Sequence, residues 1–351
     1  MALLEARDLV KHFPVRRGLL GSLRGRPERF VHAVDGVSFE VDVGETLAIV
    51  GESGSGKTTL GRLILGLLEP TSGQIFFDGE DVTRCSRQER FRLRREIQVV
   101  FQDPYSSLDP RQTVERIIRE PLDIHDVGTP AERRKRVLEL MERVRLAPQY
   151  GKRYPHELSG GQRQRVSIAT ALALAPRLIV ADEPVSALDV SVQAQILDLL
   201  DELQRETQIA YVFISHDLGV VDQVSDRVAV MYLGKILETG PVDRIFERPE
   251  QPYTRALLSA IPPADPAVSH DPIRLPGDVP TQIDPPPGCP FHPRCWLAVD
   301  ACREIEPQLL AYEPGHLAAC HVTAAEQGLG VLAHDAQKGA PMILSDAEGR
   351  R

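Results

Sequence analysis

Gly51-Glu52-Ser53-Gly54-Ser55-Gly56-Lys57-Thr58, followed by Thr59, has the residue types and spacing of a phosphate-binding loop. Small residues let the backbone curl until successive N–H groups point at phosphate oxygens. A helical pattern follows, so a helix N-terminus would add the positive end of its dipole. Lys57 can neutralise the β- and γ-phosphates of a nucleotide, and the Thr58 hydroxyl can ligate Mg2+. The bland alternative is a chance glycine-rich turn. A second run, Leu178-Ile179-Val180-Ala181-Asp182-Glu183, reads as a buried strand ending in two acids. A carboxylate at the end of such a strand is costly unless it meets a cation, so Asp182 would hold Mg2+ through water. Glu183, one residue on, can polarise an attacking water. Either acid alone could be a helix cap or a first-turn acid. Both beside a phosphate loop point to hydrolysis of a nucleoside triphosphate.

Positioning these groups needs a sheet with helices around it. From about Leu3 to Gly240, short β-branched runs alternate with amphipathic helical patterns, the signature of an α/β sheet. Glu45–Val50, Gln74–Phe77, Ile97–Phe101, Leu178–Ala181, Tyr211–Ile214 and Val228–Met231 read as strands, and Lys57–Leu68 as a helix. Between Pro104 and Pro155 the texture turns to charged helical patterns such as Ala131–Arg145, so a helical subdomain over about 104–165 is expected to interrupt the sheet. The 351 residues are 42% hydrophobic and 26% charged, enough for one large domain and a smaller one. A net charge of -9 argues against a nucleic-acid partner. No stretch approaches the roughly 18 apolar residues that cross a bilayer. Met1–Phe13 alternates charged with apolar residues, so no secretory signal is expected. The arginine- and glycine-rich stretch Arg16–Arg29 reads as a solvated hairpin or loop, with a lipid-surface contact as the alternative.

A phosphate loop and an acid strand define a P-loop NTPase. Leu158-Ser159-Gly160-Gly161-Gln162 narrows the class: it resembles the signature motif of ABC ATPases and, as in that family, lies upstream of the acid strand. A serine and two glycines opening a helix would offer a second N-terminus to a γ-phosphate. Gln102 resembles the family's Q-loop glutamine, Ser186-Ala187-Leu188-Asp189 its D-loop, and His216 its switch histidine. Phe13 falls where the family stacks an aromatic on adenine; an ordinary core phenylalanine is the alternative. The resemblance spans about 3–245. It implies ATP and Mg2+ as cofactors, with Thr58, Gln102 and Asp182 toward the metal and Glu183, Gln102 and His216 in catalysis. It also implies dimerisation with an identical or homologous ATPase, because the signature motif of one domain caps the nucleotide of the other.

After Gly240 prolines accumulate, at Pro262, Pro263, Pro266, Pro272 and Pro285–Pro287, and a cysteine-bearing segment follows. The run Pro252-Tyr253-Thr254, Leu275-Pro276-Gly277 and Gly288-Cys289-Pro290-Phe291-His292-Pro293-Arg294-Cys295 resembles the C-terminal extension of ATPase subunits of peptide-type importers, which take dipeptides, oligopeptides, nickel or glutathione. The expected boundaries are therefore 1–245 for the ATPase, 246–323 for the extension and 324–351 for a loose tail. Reduced thiols are the rule in the cytosol, so Cys289, Cys295, Cys302 and Cys320 suggest a metal site before disulfides. Four thiolates suit a [4Fe–4S] cluster or zinc, and the family resemblance favours iron–sulfur; no metal at all stays open. His292, His316 and His321 are alternative ligands or structural residues.

The resemblance further implies two membrane permease subunits, an extracytoplasmic substrate-binding protein acting indirectly, and a peripheral position on the cytoplasmic face of the inner membrane. The surface around Gln102–Asp123 would receive the permease's coupling helix. Rival readings are a non-transport ABC ATPase and an exporter. Only about 100 residues separate Gly56 from Ser159 and they hold no extended heptads, against the chromosome-type members.

Overall fold

The structure is a computed structural model, and it describes residues 2–15, 28–262, 270–329, 332–333 and 342–343. Strands β1 (Leu4–Pro14), β2 (Phe30–Val41) and β3 (Thr46–Val50) precede helix α1 (Lys57–Ile64). Then come β4 (Ser72–Phe77), β5 (Glu80–Asp81), α2 (Arg87–Glu96) and β6 (Ile97–Val100). Four helices follow: α3 (Pro104–Ser107), α4 (Val114–Ile124), α5 (Pro130–Arg143) and α6 (Gly160–Ala171). The chain continues through β7 (Leu178–Asp182), α7 (Val190–Thr207), β8 (Ala210–Ser215), α8 (Leu218–Val224), β9 (Arg227–Tyr232) and β10 (Lys235–Pro241). The last elements are α9 (Val242–Glu247), α10 (Pro252–Ser259), α11 (Ala301–Glu304), β11 (Leu310–Glu313), β12 (His316–Ala318) and α12 (His321–Glu326), then two-residue strands at Leu332–Ala333 and Met342–Ile343. The chain divides into two compact units. One comprises Met1–Lys11, Val34–Val50 and Lys57–Asp226, the other His12–Ala33, Gly51–Gly56 and Arg227–Arg351.

In the first unit β3, β8, β7 and β6 run parallel in that order, each nearly all apolar because both sheet faces are covered. Their register decides where the chemistry sits. Val50 pairs with Ser215, Ile214 with Asp182, and Ala181 with Val100, so all four strands end at one edge. The residues that leave that edge next are Gly51, His216, Glu183 and Phe101-Gln102. Ligands of parallel sheets bind at such carboxyl ends. The helical segment packs its apolar stripes into the same core: Val114, Ile117, Ile118 and Leu122 from α4, and Val137, Leu140 and Met141 from α5, are all buried. This unit also holds an antiparallel β1–β4 pair, from Leu4 opposite Phe77 to Val10 opposite Ser72, with β5 antiparallel to β4.

In the second unit β9 and β10 form a hairpin whose turn carries Leu233 and Gly234 at positive φ, as tight hairpins require. β10 pairs with β12 and β12 with β11, all antiparallel. The expected boundary at 245 thus separates segments that share one run of hydrogen-bonded strands: Glu238 pairs with Ala318 and Thr239 with Leu317. Tyr232, Tyr253 and Phe291 bury their rings together, with centroids 4.7–5.4 Å apart. Beside them the fully buried Glu238 accepts backbone N–H groups of Glu250 and Gln251 at 2.7 and 3.2 Å, and His316 Nε2 lies 2.8 Å from its Oε1.

Several boundaries differ from the sequence expectation. Helix α1 ends at Ile64 rather than Leu68, because Gly66 turns left-handed at φ 62. Helix α5 stops at Arg143, with Arg145 at φ 55. The tail expected from 324 begins later, since α12 runs to Glu326 with Thr323 and Ala324 buried and Thr323 Oγ1 held 2.7 Å from the Tyr312 hydroxyl. Residues 330–331, 334–341 and 344–351 of that tail lie outside the described residues, as do 16–27 of the arginine-rich stretch and 263–269 of the proline-rich one. Among the described residues, no helix is long and apolar enough to cross a membrane.

Candidate active site

The phosphate loop owes its path to its glycines. Gly51, Gly54 and Gly56 have φ of 149, 78 and 110, which L side chains rarely adopt. A Cβ on Gly51 would lie 2.0 Å from the carbonyl oxygen of Met231, and one on Gly56 2.0 Å from that of Ala33. Ser55 closes a turn by donating its N–H to the Glu52 carbonyl at 3.1 Å, and its own carbonyl accepts from Gly234 N–H at 2.8 Å. Ser53 and Gly54 at the tip are exposed, whereas Ser55 is buried. Lys57, only 6% exposed, opens α1, with Thr58 exposed and Thr59 half-buried behind it.

Around the end of β7 the first unit gathers its acids. Thr58 Oγ1 and Asp182 Oδ1 lie 3.5 Å apart, the long edge of a hydrogen bond and a natural span for a shared cation. Burial, and next the neighbouring Glu183 carboxylate, push the Asp182 carboxyl above the usual carboxylate range, with Arg62, Thr58 and Lys57 opposing. A divalent cation would reverse that balance. Glu183 stands at φ 48, a left-handed conformation a non-glycine residue holds only under constraint, and its N–H donates to the Ile214 carbonyl at 2.9 Å. Its two carboxylate oxygens diverge to two partners. Gln102 Nε2 donates to Oε2 at 2.8 Å, and His216 Nδ1 lies 3.0 Å from Oε1. Three residues expected to act in catalysis, from the ends of β6, β7 and β8, therefore meet in one hydrogen-bonded row.

Ser159, Gly160, Gly161 and Gln162 are found elsewhere, opening α6. Ser159 caps the helix: its hydroxyl accepts from Gln162 N–H at 3.4 Å while the Gln162 side-chain oxygen accepts from Ser159 N–H at 3.1 Å. The glycines are packing requirements too, because a Cβ on Gly161 would meet Val192 Cγ1 at 2.5 Å and one on Gly160 Leu188 Cδ2 at 3.2 Å. Ser159 and Gly160 remain exposed, a helix N-terminus facing outward. Ser186, in the D-loop stretch, donates to the Glu183 carbonyl at 3.1 Å. Phe13 lies half-buried near the end of β1.

The four clustered cysteines converge in the second unit. Cys289 N–H donates to the Cys302 carbonyl at 2.9 Å, and a Cβ at Gly288 would meet that same carbonyl oxygen at 2.6 Å. Cys289, Cys302 and Cys320 are buried and Cys295 half-buried. Burial, and after it the nearness of the other thiols, pushes Cys289 up to about 12 and Cys295 up to about 11, and raises Cys302. The three histidines weighed as ligands hold other partners: His292 Nδ1 the Cys289 carbonyl and His321 Nε2 the Ile305 carbonyl, each at 2.9 Å, and His316 the Glu238 carboxylate. Sequence reading did not single out Glu238, nor the pairing of Glu52 with Tyr253 and Arg294. No local pattern marks such contacts between residues far apart in the chain.

Comparison with known proteins places the chain in a family. Residues 34–186 match the ABC transporter family and residues 237–302 the family described as oligopeptide/dipeptide transporter, C-terminal region. The chain is 50% identical over 323 residues to the oligopeptide transport ATP-binding protein AppF of Bacillus subtilis, covering 91% of this chain and 97% of that one. It is 49% identical over 318 residues to the dipeptide transport ATP-binding protein DppF of Haemophilus influenzae, covering 91% and 96%. Among solved structures, the ATP-binding cassette MJ0796 in a dimeric post-hydrolysis state with ADP and Pi superposes with a TM-score of 0.60 at 30% identity, over 68% of this chain and 98% of that one. CbiO1 of Clostridium perfringens, part of an ABC transporter complex, gives 0.59 at 31% identity, over 70% and 91%. The chain belongs to the ABC transporter ATP-binding family: it is an ATP-hydrolysing cassette that carries the oligopeptide/dipeptide-type C-terminal region.

Proposed function

We propose that this chain powers the uptake of dipeptides and oligopeptides, with nickel or glutathione as the alternative cargo of the same machinery. The match of residues 237–302 to the oligopeptide/dipeptide C-terminal region carries the reading. Its partners are a second, identical or homologous ATPase and two membrane permeases, with an extracytoplasmic binding protein acting indirectly. It works from the cytoplasmic face of the membrane, its coupling surface lying around Gln102–Asp123. There Phe101 and Tyr105 are exposed, which supports a contact surface. The test is cargo uptake by cells lacking the gene, complemented with the chain and its permeases. Dipeptide and oligopeptide uptake restored by the parent but not by Lys57→Ala supports the reading, and uptake of nickel or glutathione alone replaces it.

Within the ATPase, the roles follow from the groups each side chain meets. Backbone N–H groups from Gly51 to Gly56 and the Lys57 ammonium hold the phosphates, Phe13 stacks on adenine, and Thr58, Gln102 and Asp182 hold Mg2+. With the Gln102 amide nitrogen engaged by Glu183, its amide oxygen is the atom left for the metal. Glu183 orients and polarises water against the γ-phosphorus, and Gln102 and His216 fix both of its oxygens. His216 can turn from Glu183 to the γ-phosphate as charge builds there. Ser159 to Gln162 cap the nucleotide of the partner ATPase.

The C-terminal quartet takes a metal group, and a [4Fe–4S] cluster is favoured over zinc. Burial raises the pKa of three of the thiols, and a bound cation would favour their thiolate forms instead. The likeness of residues 237–302 to the peptide-type extension is what favours the cluster over zinc. Elemental analysis after anaerobic purification decides it. About four irons with matching sulfide supports the cluster, stoichiometric zinc replaces it, and a well-folded protein without metal overturns both.

A further inference from the structure

Glu52, the second residue of the phosphate loop, is gripped from a distance of some two hundred residues. The Arg294 guanidinium forks onto its carboxylate, Nη1 to Oε2 at 2.7 Å and Nη2 to Oε1 at 3.2 Å. Its backbone N–H donates to the Tyr253 hydroxyl at 2.8 Å. Arg294 is 7% exposed and Tyr253 fully buried, so neither contact is a loose surface pairing. The mount is rigid. Arg294 ends a short 3-10 turn, His292–Arg294, between Cys289 and Cys295, with Pro290 and Pro293 restricting the backbone. Phe291 in that stretch packs edge-on against Tyr232 and beside Tyr253. Opposite the grip, Gly51 is jammed against the Met231 carbonyl, and the Glu52 carbonyl accepts from Ser55 N–H.

We propose that Arg294 and Tyr253 are positioning residues for ATP: they hold the first turn of the phosphate loop in its nucleotide-ready path, and so the cysteine-bearing loop sets the affinity of the ATP site. A bidentate, charge-assisted pair fixes both the direction and the distance of Glu52. A loop ordered before the ligand arrives does not spend binding energy on ordering. Removing Arg294 takes both guanidinium hydrogen bonds from the Glu52 carboxylate and frees the first turn of the loop to move. The proposal rests on the ATPase activity alone and not on which metal, if any, the thiols take.

The test uses the full chain assembled with its permeases and compares Arg294→Met, Arg294→Lys, Glu52→Gln, Tyr253→Phe and the double variant Glu52→Gln/Arg294→Met. Arg294→Met should raise KM for ATP about tenfold with kcat at saturation unchanged, Arg294→Lys should recover part of the loss, and Tyr253→Phe should raise KM a few-fold. The double variant should be no worse than Arg294→Met alone, because both residues act through the one contact between them. A lowered melting temperature with unchanged KM in Arg294→Met would reduce the contact to a staple of the extension and overturn the proposal. If Arg294→Met does not fold, Glu52→Gln and Tyr253→Phe decide: an unchanged KM in both overturns it.

Discussion

The end of β7 and the interior of the second unit both gather carboxylates and histidines, yet they treat them in opposite ways. At Glu183 the acid is met by an exposed glutamine and an exposed histidine, with Asp182 beside it carrying a raised pKa. At Glu238 the acid is sealed from solvent, and two backbone N–H groups and His316 converge on it. The first arrangement leaves charge that an incoming cation or phosphate can answer. The second is already answered from within and therefore holds strands and helices together. Matching residue types thus give a reactive centre or a staple, according to whether their partners come from the protein or from a ligand.

Exchanging an acid in each place is the strongest way to break this comparison. Glu183→Gln should lower ATP turnover by about 10²–10⁴-fold while leaving ATP binding and melting temperature near the parent's. Glu238→Leu should do the reverse. It strands the N–H groups of Glu250 and Gln251 and the His316 ring, costing about 3–5 kcal/mol of stability. The material that stays folded should keep its turnover per bound ATP. Denaturant melts and ATP-release assays on both variants check this. A folded, stable Glu238→Leu chain would mean that the buried acid staples nothing.

A smaller effect sharpens the reactive side. For a carboxylate whose folded pKa is raised above its unfolded value, ionisation is disfavoured by folding, so stability is lost as pH rises through the interval between the two. Asp182 is such a group, its unfolded value being near 3.8. In nucleotide- and magnesium-free protein, Asp182→Asn should therefore melt higher than the parent at neutral pH. The gain should vanish near pH 3, at about which both states of the parent carry the proton. With MgATP the order should invert, since the variant loses the carboxylate the cation pairs with. Melting curves across pH, with and without MgATP, read this directly.

How much of this was legible follows from separation along the chain. The strand Leu178–Asp182 and the loop from Gly51 to Thr58 are local patterns, an apolar run closed by acids and a string of small residues closed by Lys-Thr, and both lie where the pattern puts them. Helix α2 also had a local sign, the capping pair Ser86 and Glu89, but its apolar periodicity is too weak to stand out and none of its residues is buried. The meeting of Gln102, Glu183 and His216 is different in kind. Motif resemblance brings the three together, but only the parallel register of β6, β7 and β8 explains why they touch. Glu238 with His316, and Glu52 with Arg294, carry no local signal at all. A glutamate in a strand and an arginine between two cysteines look like surface residues until long-range pairing buries them.

The finest division between staple and reactive group lies in two helix caps that are alike in chemistry. Ser159 caps α6 and Thr129 caps α5, each with a reciprocal partner three residues on, Gln162 and Glu132. Alanine at either position removes one cap and should cost about 1 kcal/mol of stability. If Ser159 were only a cap, the two variants would behave alike in every assay. On the proposed reading the exposed α6 N-terminus, with two glycines after it, serves a γ-phosphate on a second ATPase, whereas α5 begins with Pro130 and offers one N–H fewer. In mixed dimers carrying one mutant chain, Ser159→Ala should depress hydrolysis at the partner's phosphate loop while Thr129→Ala leaves it at the parent rate. Equal turnover in both dimers would assign Ser159 to folding alone.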